Sequence, residues 1–182
     1  EVVHASRIPH MVCYAFSTEN WKRAEEEVTH LMSLLHRGIN ELQDTLKTRE
    51  RSINLRIIGE RSRLSAALQK VIARIVSCHL EIATCTVWVA LSYGGRAEIV
   101  AAANQAIAQG VPVSEETFAK LLYTSGMPDP DLIIRTSGEQ RVSNFLLWQS
   151  AYSEFFFTDT LWPDFGESEF QAIVGEYATR QR

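Results

Sequence analysis

An α/β fold, a single domain with a mostly parallel central sheet flanked by helices, is what this sequence of 182 residues predicts. Three observations carry that prediction. Short β-branched or aliphatic runs alternate with stretches whose apolar residues recur at helical spacing. The helical stretches are long enough to act as crossovers between parallel strands. No internal repeat, low-complexity tract or linker breaks the pattern, so one domain spanning 1–182 is expected.

The elements follow in order. Met11 to Phe16 reads as a short buried strand. From Ala24 to Leu46, Val28, Leu31, Met32, Leu35, Ile39 and Leu42 repeat at helical spacing, and Glu25, Glu26 and Glu27 open the helix as the macrodipole prefers. Lys47 to Ser52 is mixed in sign and lacks aromatics, so it reads as a solvated connection. Ile53 to Ile58 is a strand ended by Gly59, and Leu64 to Cys78 is a second amphipathic helix. Thr84 to Leu91 is β-branched and aromatic, a third strand. Tyr93-Gly94-Gly95-Arg96 turns it into a helix from Ala97 to Ala108. Ser114 caps a short helix, Pro128 and Pro130 break the chain, and Asp131 to Ile134 is a fourth strand. A last helix begins near Glu167.

Composition narrows the classes of function. The hydrophobic and charged fractions, 46% and 22%, are those of a globular chain and exclude disorder. A net charge of −4 gives no overall field for nucleic acid, so no nucleic-acid partner is expected. An anionic ligand would need local arginine clusters. No apolar run reaches the ~20 residues of a membrane span, which points to the cytoplasm. Cys13, Cys78 and Cys85 lack the paired spacing of zinc sites and read as reduced thiols. His4, His10, His30 and His36 read as surface or boundary residues.

Two polar clusters stand out, each directly after an apolar strand. One is Ser17-Thr18-Glu19-Asn20-Trp21-Lys22-Arg23, where Ser17 or Thr18 can cap a helix and Trp21 and Phe16 suit packing. The other is Arg135-Thr136-Ser137-Gly138-Glu139-Gln140-Arg141-Val142-Ser143-Asn144. Open α/β sheets bind ligands at the carboxyl ends of their strands. Guanidinium forks match phosphate oxygens, and neighbouring hydroxyls complete such a cradle. The residues alone therefore describe an anion-binding α/β enzyme. The Gly94-Gly95 pair reads either as a phosphate cradle or as tight strand-to-helix packing, and Arg96 as a loop-orienting residue.

The strings YAFSTENWKR, SYGGRAEIV, PDPDLIIRTSGEQRVSNFLLWQ and AYSEFFFTDTLWPDF resemble, in order and spacing, the signature regions of the cis-prenyltransferase family, of the undecaprenyl diphosphate synthase type. The resemblance covers nearly the whole chain. It implies condensation of isopentenyl diphosphate with an allylic diphosphate such as farnesyl diphosphate, repeated to give a long cis-polyprenyl diphosphate. It assigns Arg135, Arg141 and Ser143 to isopentenyl diphosphate, and Arg23 with Ser17, Thr18, Glu19, Asn20 and Trp21 to the allylic side. Glu154 matches a magnesium ligand and Gln140 a weaker second contact to the ion, while Glu139 is expected to orient an arginine. Asn20 matches a position often assigned as proton acceptor; an amide is not basic near neutral pH, so a positioning role is expected.

A growing tail needs a dry tunnel, for which Ala15, Val87, Val89, Leu91, Leu31 and Leu35 are suited. Trp88 departs from the small polar residue usual there and is expected to face away from Val87. The resemblance also implies a homodimer, through Phe145–Trp148 and the helix after Asp159, and transient contact of the product with the inner membrane face. The family normally opens with Asp-Gly-Asn-Gly-Arg-Trp-Ala, which supplies the principal magnesium ligand, and closes with Arg-x-Gly. Neither segment is in the sequence. The expectation is therefore a piece of a longer protein, nearly inactive taken alone. The competing expectation is a noncatalytic partner subunit of an active prenyltransferase.

Overall fold

The structure, a computed structural model, describes residues 6–48, 53–77, 80, 83–110 and 112–180. Two compact units divide the chain, Glu1–Gly126 and Met127–Arg182.

The first unit carries strand β1 (His10–Ser17), a 3-10 turn (Thr18–Lys22), helix α1 (Glu25–Thr48), β2 (Ile53–Ile58), α2 (Ala66–Ser77), β3 (Cys85–Tyr93), α3 (Gly95–Gln109) and α4 (Glu115–Ala119). Its sheet has the order β1-β3-β2, and both pairings are parallel. Parallel strands need crossovers, and α1 and α2 provide two of them. This is the mixed α/β arrangement the alternating pattern predicts.

Strand period sorts the side chains. Val87, Val89 and Leu91 of β3 pack with Leu55 and Ile57 of β2, Phe16 of β1, Ile39 of α1 and Leu68, Val71, Ile72 and Ile75 of α2. The alternate β3 residues, Thr86, Trp88 and Ala90, lie on the other face. Trp88 is buried there and apart from the main cluster, as expected of its parity. Ala15 behaves otherwise: the β1 register slips between Tyr14 and Phe16, and Ala15 is left exposed rather than lining the apolar face. On α1, Val28, Leu31, Met32 and Leu35 are only partly covered, so the helix presents a half-open apolar wall.

Two close approaches fix the carboxyl end of this sheet. Gly59 has φ +119, and a Cβ built there would lie 2.2 Å from the Leu91 carbonyl oxygen. Only glycine allows β2 to end so close to β3. Glu60 N–H then donates to Ser92 O at 3.0 Å. Beneath it, Glu98 is fully buried; Tyr93 Oη donates to its carboxylate at 2.5 Å, and Thr124 N–H and Oγ1 donate at 3.2 and 3.3 Å. Gly94 and Gly95 are buried, with Gly94 at the N-cap of α3, so they serve close packing of strand on helix.

The second unit pairs β4 (Leu132–Arg135) with β5 (Glu154–Phe157) in parallel, followed by a 3-10 turn (Trp162–Asp164) and α5 (Glu167–Thr179). β5 escapes the sequence reading because Glu154-Phe-Phe-Phe has no period-two alternation. Leu146 is buried, so the stretch proposed for dimer contact is partly inside its own unit. Among the described residues of this unit, the exposed large apolar side chains are Tyr152, Phe157, Leu161 and Trp162. Among the described residues, no helix is long and apolar enough to cross a membrane. Cys78 and His79 lie outside the described residues; burial pushes the Cys13 and Cys85 thiols up, away from nucleophilic use.

Candidate functional site

In the first unit the chain leaves β1 through a capping box. Ser17 Oγ accepts from Asn20 N–H at 3.3 Å, and Asn20 Oδ1 accepts from Ser17 N–H at 2.8 Å. The second bond decides the chemistry of Asn20. Its oxygen is already committed to the backbone, so its NH2 group is what remains to face a ligand. Trp21 is anchored on three sides: Nε1 donates to Ser92 Oγ at 2.8 Å, Phe16 meets it edge-on at 5.0 Å, and the Arg63 guanidinium lies 4.6 Å above its ring. Thr18 donates to Glu19 at 3.1 Å, and both stand near the surface. Arg23 is exposed and pairs with Glu27, one turn along α1.

In the second unit Arg135 ends β4. Its side chain is half-buried, and its Nε is buried without a hydrogen-bond partner. A buried guanidinium N–H is rarely left unpaired, which marks a donor suited to an added anion. The loop beyond it is tied by Ser137 N–H to Thr160 O and Gly138 N–H to Thr158 O, both at 2.9 Å. Ser137, Ser143, Asn144 and Leu146 all have positive φ, an uncommon set for non-glycine residues. Arg141 is exposed and pairs with Glu139, the orienting role expected of that carboxylate.

Glu154 opens β5. Its Oε2 accepts from Arg180 at 2.8 Å; Arg180 also bonds Glu176 at 2.8 Å and lies 4.1 Å over the Phe156 ring. Register pairs Leu132 with Glu154 and Arg135 with Phe157. Glu154 and Arg135 therefore start from opposite ends of the two-stranded ribbon, on the order of 10 Å apart along it. Gln140 is exposed in the loop between. As hard oxygen donors, the Glu154 carboxylate and the Gln140 amide fit magnesium, which keeps waters and takes few protein ligands. Among the described residues no group of three or more His, Cys, Asp or Glu is placed to hold a metal ion.

Arg63, Ser92, Glu98 and Arg180 went unnoticed in the sequence. Each has a partner far along the chain, 42, 71, 26 and 26 residues away, which no local motif reveals.

The whole chain, residues 1–182, matches the prenyltransferase family model described as putative undecaprenyl diphosphate synthase. It is 43% identical to the isoprenyl transferase of Aquifex aeolicus over 96% of this chain and 75% of that protein. The isoprenyl transferase of Thermotoga maritima is also 43% identical, over 96% of this chain and 76% of its own length. Among solved structures, a probable undecaprenyl diphosphate synthase from Campylobacter jejuni is similar with a TM-score of 0.89 and 34% identity, covering 100% of this chain and 85% of its own. Lavandulyl diphosphate synthase from Lavandula x intermedia, in complex with dimethylallyl diphosphate, gives 0.90 and 34%, covering 100% and 83%. The chain belongs to the prenyltransferase family described as putative undecaprenyl diphosphate synthase.

Proposed function

We propose that the protein is a cis-prenyltransferase, adding isopentenyl diphosphate units to an allylic, farnesyl-type diphosphate to give a long polyprenyl diphosphate. The observation that carries this reading is in the first unit. The half-open apolar wall of Leu31, Leu35, Val87 and Val89 belongs to the same unit as the donor turn Ser17–Asn20. A substrate with a charged head and a greasy tail needs both.

Arg135, Arg141 and Ser143 hold isopentenyl diphosphate, and the unpartnered Nε of Arg135 is consistent with that use. Arg23, Ser17, Thr18, Glu19 and Asn20 serve the allylic diphosphate, with Trp21 as the packed base of their turn. Arg23 and Arg141 each exchange an exposed carboxylate partner for phosphate, a small loss because such pairs contribute little. As the allylic carbon–oxygen bond breaks, the isopentenyl double bond forms the new carbon–carbon bond and sheds a proton. The departing diphosphate takes that proton. Asn20, its oxygen bonded to Ser17 N–H, orients the head group through its NH2. Magnesium, held by Glu154 with Gln140, would offset charge on the diphosphates. The acting form is a homodimer, with Phe157, Leu161 and Trp162 as the apolar surface available for pairing. The product's apolar tail brings the protein transiently to the inner membrane face from the cytoplasm.

One observation favours the second reading, a noncatalytic partner subunit: Glu154 is bonded to Arg180. Incubation with radiolabelled isopentenyl diphosphate, farnesyl diphosphate and magnesium, with sizing of products, separates the two. Long polyprenyl products are expected. Binding of both substrates without any chain growth would favour the partner subunit instead.

A further inference from the structure

Ser92, the next to last residue of β3, is fully buried and has φ 52. Left-handed backbone suits glycine, strains most other residues and persists where the surroundings over-determine it. They do so here. A Cβ built at Gly59 would lie 3.1 Å from Ser92 O, and Glu60 N–H donates to that same oxygen at 3.0 Å. The following residue is fixed as well: Tyr93 O accepts from Tyr14 Oη at 3.1 Å, and Tyr93 Oη donates to buried Glu98 at 2.5 Å. A glycine would take the Ser92 backbone without strain. What serine adds is a hydroxyl, whose Oγ accepts from Trp21 Nε1 at 2.8 Å, 71 residues back in the chain.

That bond falls where the sheet ladder is least regular. The β1–β3 register shifts between Tyr14 and Phe16 and again between Phe16 and Ser17, immediately before the Thr18–Lys22 turn. The capping box ties Ser17 to Asn20 within the turn, so it fixes the shape of the turn and not its direction relative to β3. The edge contact of Phe16 with Trp21 is apolar and tolerates sliding, whereas a hydrogen bond weakens steeply when misaligned. Trp21 follows Asn20 directly, and the tie from Trp21 to Ser92 therefore sets where the Asn20 NH2 group points.

We propose that Ser92 is a positioning residue for the allylic diphosphate. Acting through Trp21, it holds the Asn20 NH2 group toward the head group, and its left-handed backbone brings the hydroxyl within reach of the indole. The inference rests on the prenyl-transfer reading and deepens it.

The test compares Ser92→Gly with the parent protein. Glycine keeps the left-handed backbone and removes the acceptor, so the variant should fold, with urea unfolding as the check. In calorimetric titration with magnesium present, farnesyl diphosphate should bind about tenfold more weakly, the size of one hydrogen bond to a charged group. Affinity for isopentenyl diphosphate, assigned to residues of the second unit, should stay within about twofold, as expected of independent sites. The Asn20 side-chain amide and Trp21 indole NMR resonances of the ligand-free protein should shift, which a loss of stability alone would not produce. Trp21→Phe, which keeps a ring and lacks the N–H, should reproduce the weaker binding, and the two changes together should add nothing further. Unchanged farnesyl diphosphate affinity in folded Ser92→Gly, or equal loss for both diphosphates, would overturn the inference and leave the prenyl-transfer reading standing. Should Ser92→Gly not fold, Trp21→Phe decides, and unchanged affinity there overturns it. A parent protein that binds no farnesyl diphosphate would overturn that reading and this inference together.

Discussion

The turn after β1 and the loop after β4 do comparable work with opposite means. The first is held by local sequence: a capping box from Ser17 to Asn20, with Trp21 pinned between Ser92 and Arg63. The second is held by backbone shape, with Ser137, Ser143, Asn144 and Leu146 at positive φ and the Arg141–Glu139 surface pair among them. A cap relieves unsatisfied N–H groups, whereas uncommon dihedrals each cost on the order of 1–3 kcal/mol and persist only where surroundings enforce them. The comparison teaches that the first region is preorganised cheaply and the second is strained. The second is therefore where ligand binding has most to gain.

The largest expected effect follows from that contrast. Arg135→Gln should lower kcat/KM for isopentenyl diphosphate about a hundredfold, as expected for loss of charge-assisted bonds. Steady-state kinetics within threefold of the parent would break the assignment. Next, Glu98→Ala should destabilise the first unit by about 3 kcal/mol, because Tyr93 Oη and both Thr124 donors lose their buried acceptor. Urea unfolding measures this, and a shift under 1 kcal/mol would show that water replaces the carboxylate.

Asn20 sharpens the comparison further. Asn20→Asp keeps an oxygen for Ser17 N–H but turns the ligand-facing donor into an anionic oxygen, so allylic diphosphate binding should weaken and turnover fall about tenfold. Asn20→Ala loses the cap as well, at about 1 kcal/mol of stability. Undiminished turnover in Asn20→Ala would remove the amide from the mechanism. The smallest effect concerns pH. The Ser62 N–H bond holds the Glu60 carboxyl below its usual value, against a smaller opposing burial. Its folded-state pKa being depressed, it stabilises above the ordinary carboxylate range and loses that contribution as pH falls through the folded value. Glu60→Gln should make acid unfolding slightly less steep below about pH 4.

Periodicity made α1, α2 and the three strands of the first unit readable, since each buries one face. β1 extends to Ser17 and α1 to Thr48, small differences at element ends. β5 was illegible because Phe155, Phe156 and Phe157 offer no alternation, and its partner β4 is 22 residues upstream. The candidate binding residues near strand ends were named from chemistry and resemblance. The bonds that position them were not. Arg180 reaches Glu154 across a helix, and Ser92 reaches Trp21 from another strand, so neither leaves a local trace. Ala15 was misplaced for a similar reason, since a register slip erases the parity on which a lining residue is chosen.

Gly59 carries a consequence for chemical synthesis. The obstruction at 2.2 Å from the Leu91 oxygen is handed, arising where an L-residue carries its first side-chain atom. Every genetically encoded replacement meets that wall. A mirror-image alanine introduced by ligation would direct its methyl group elsewhere while favouring the positive φ. The end of β2 beside β3 is thus a place where a D-residue is expected to disturb the fold less than ordinary mutation does.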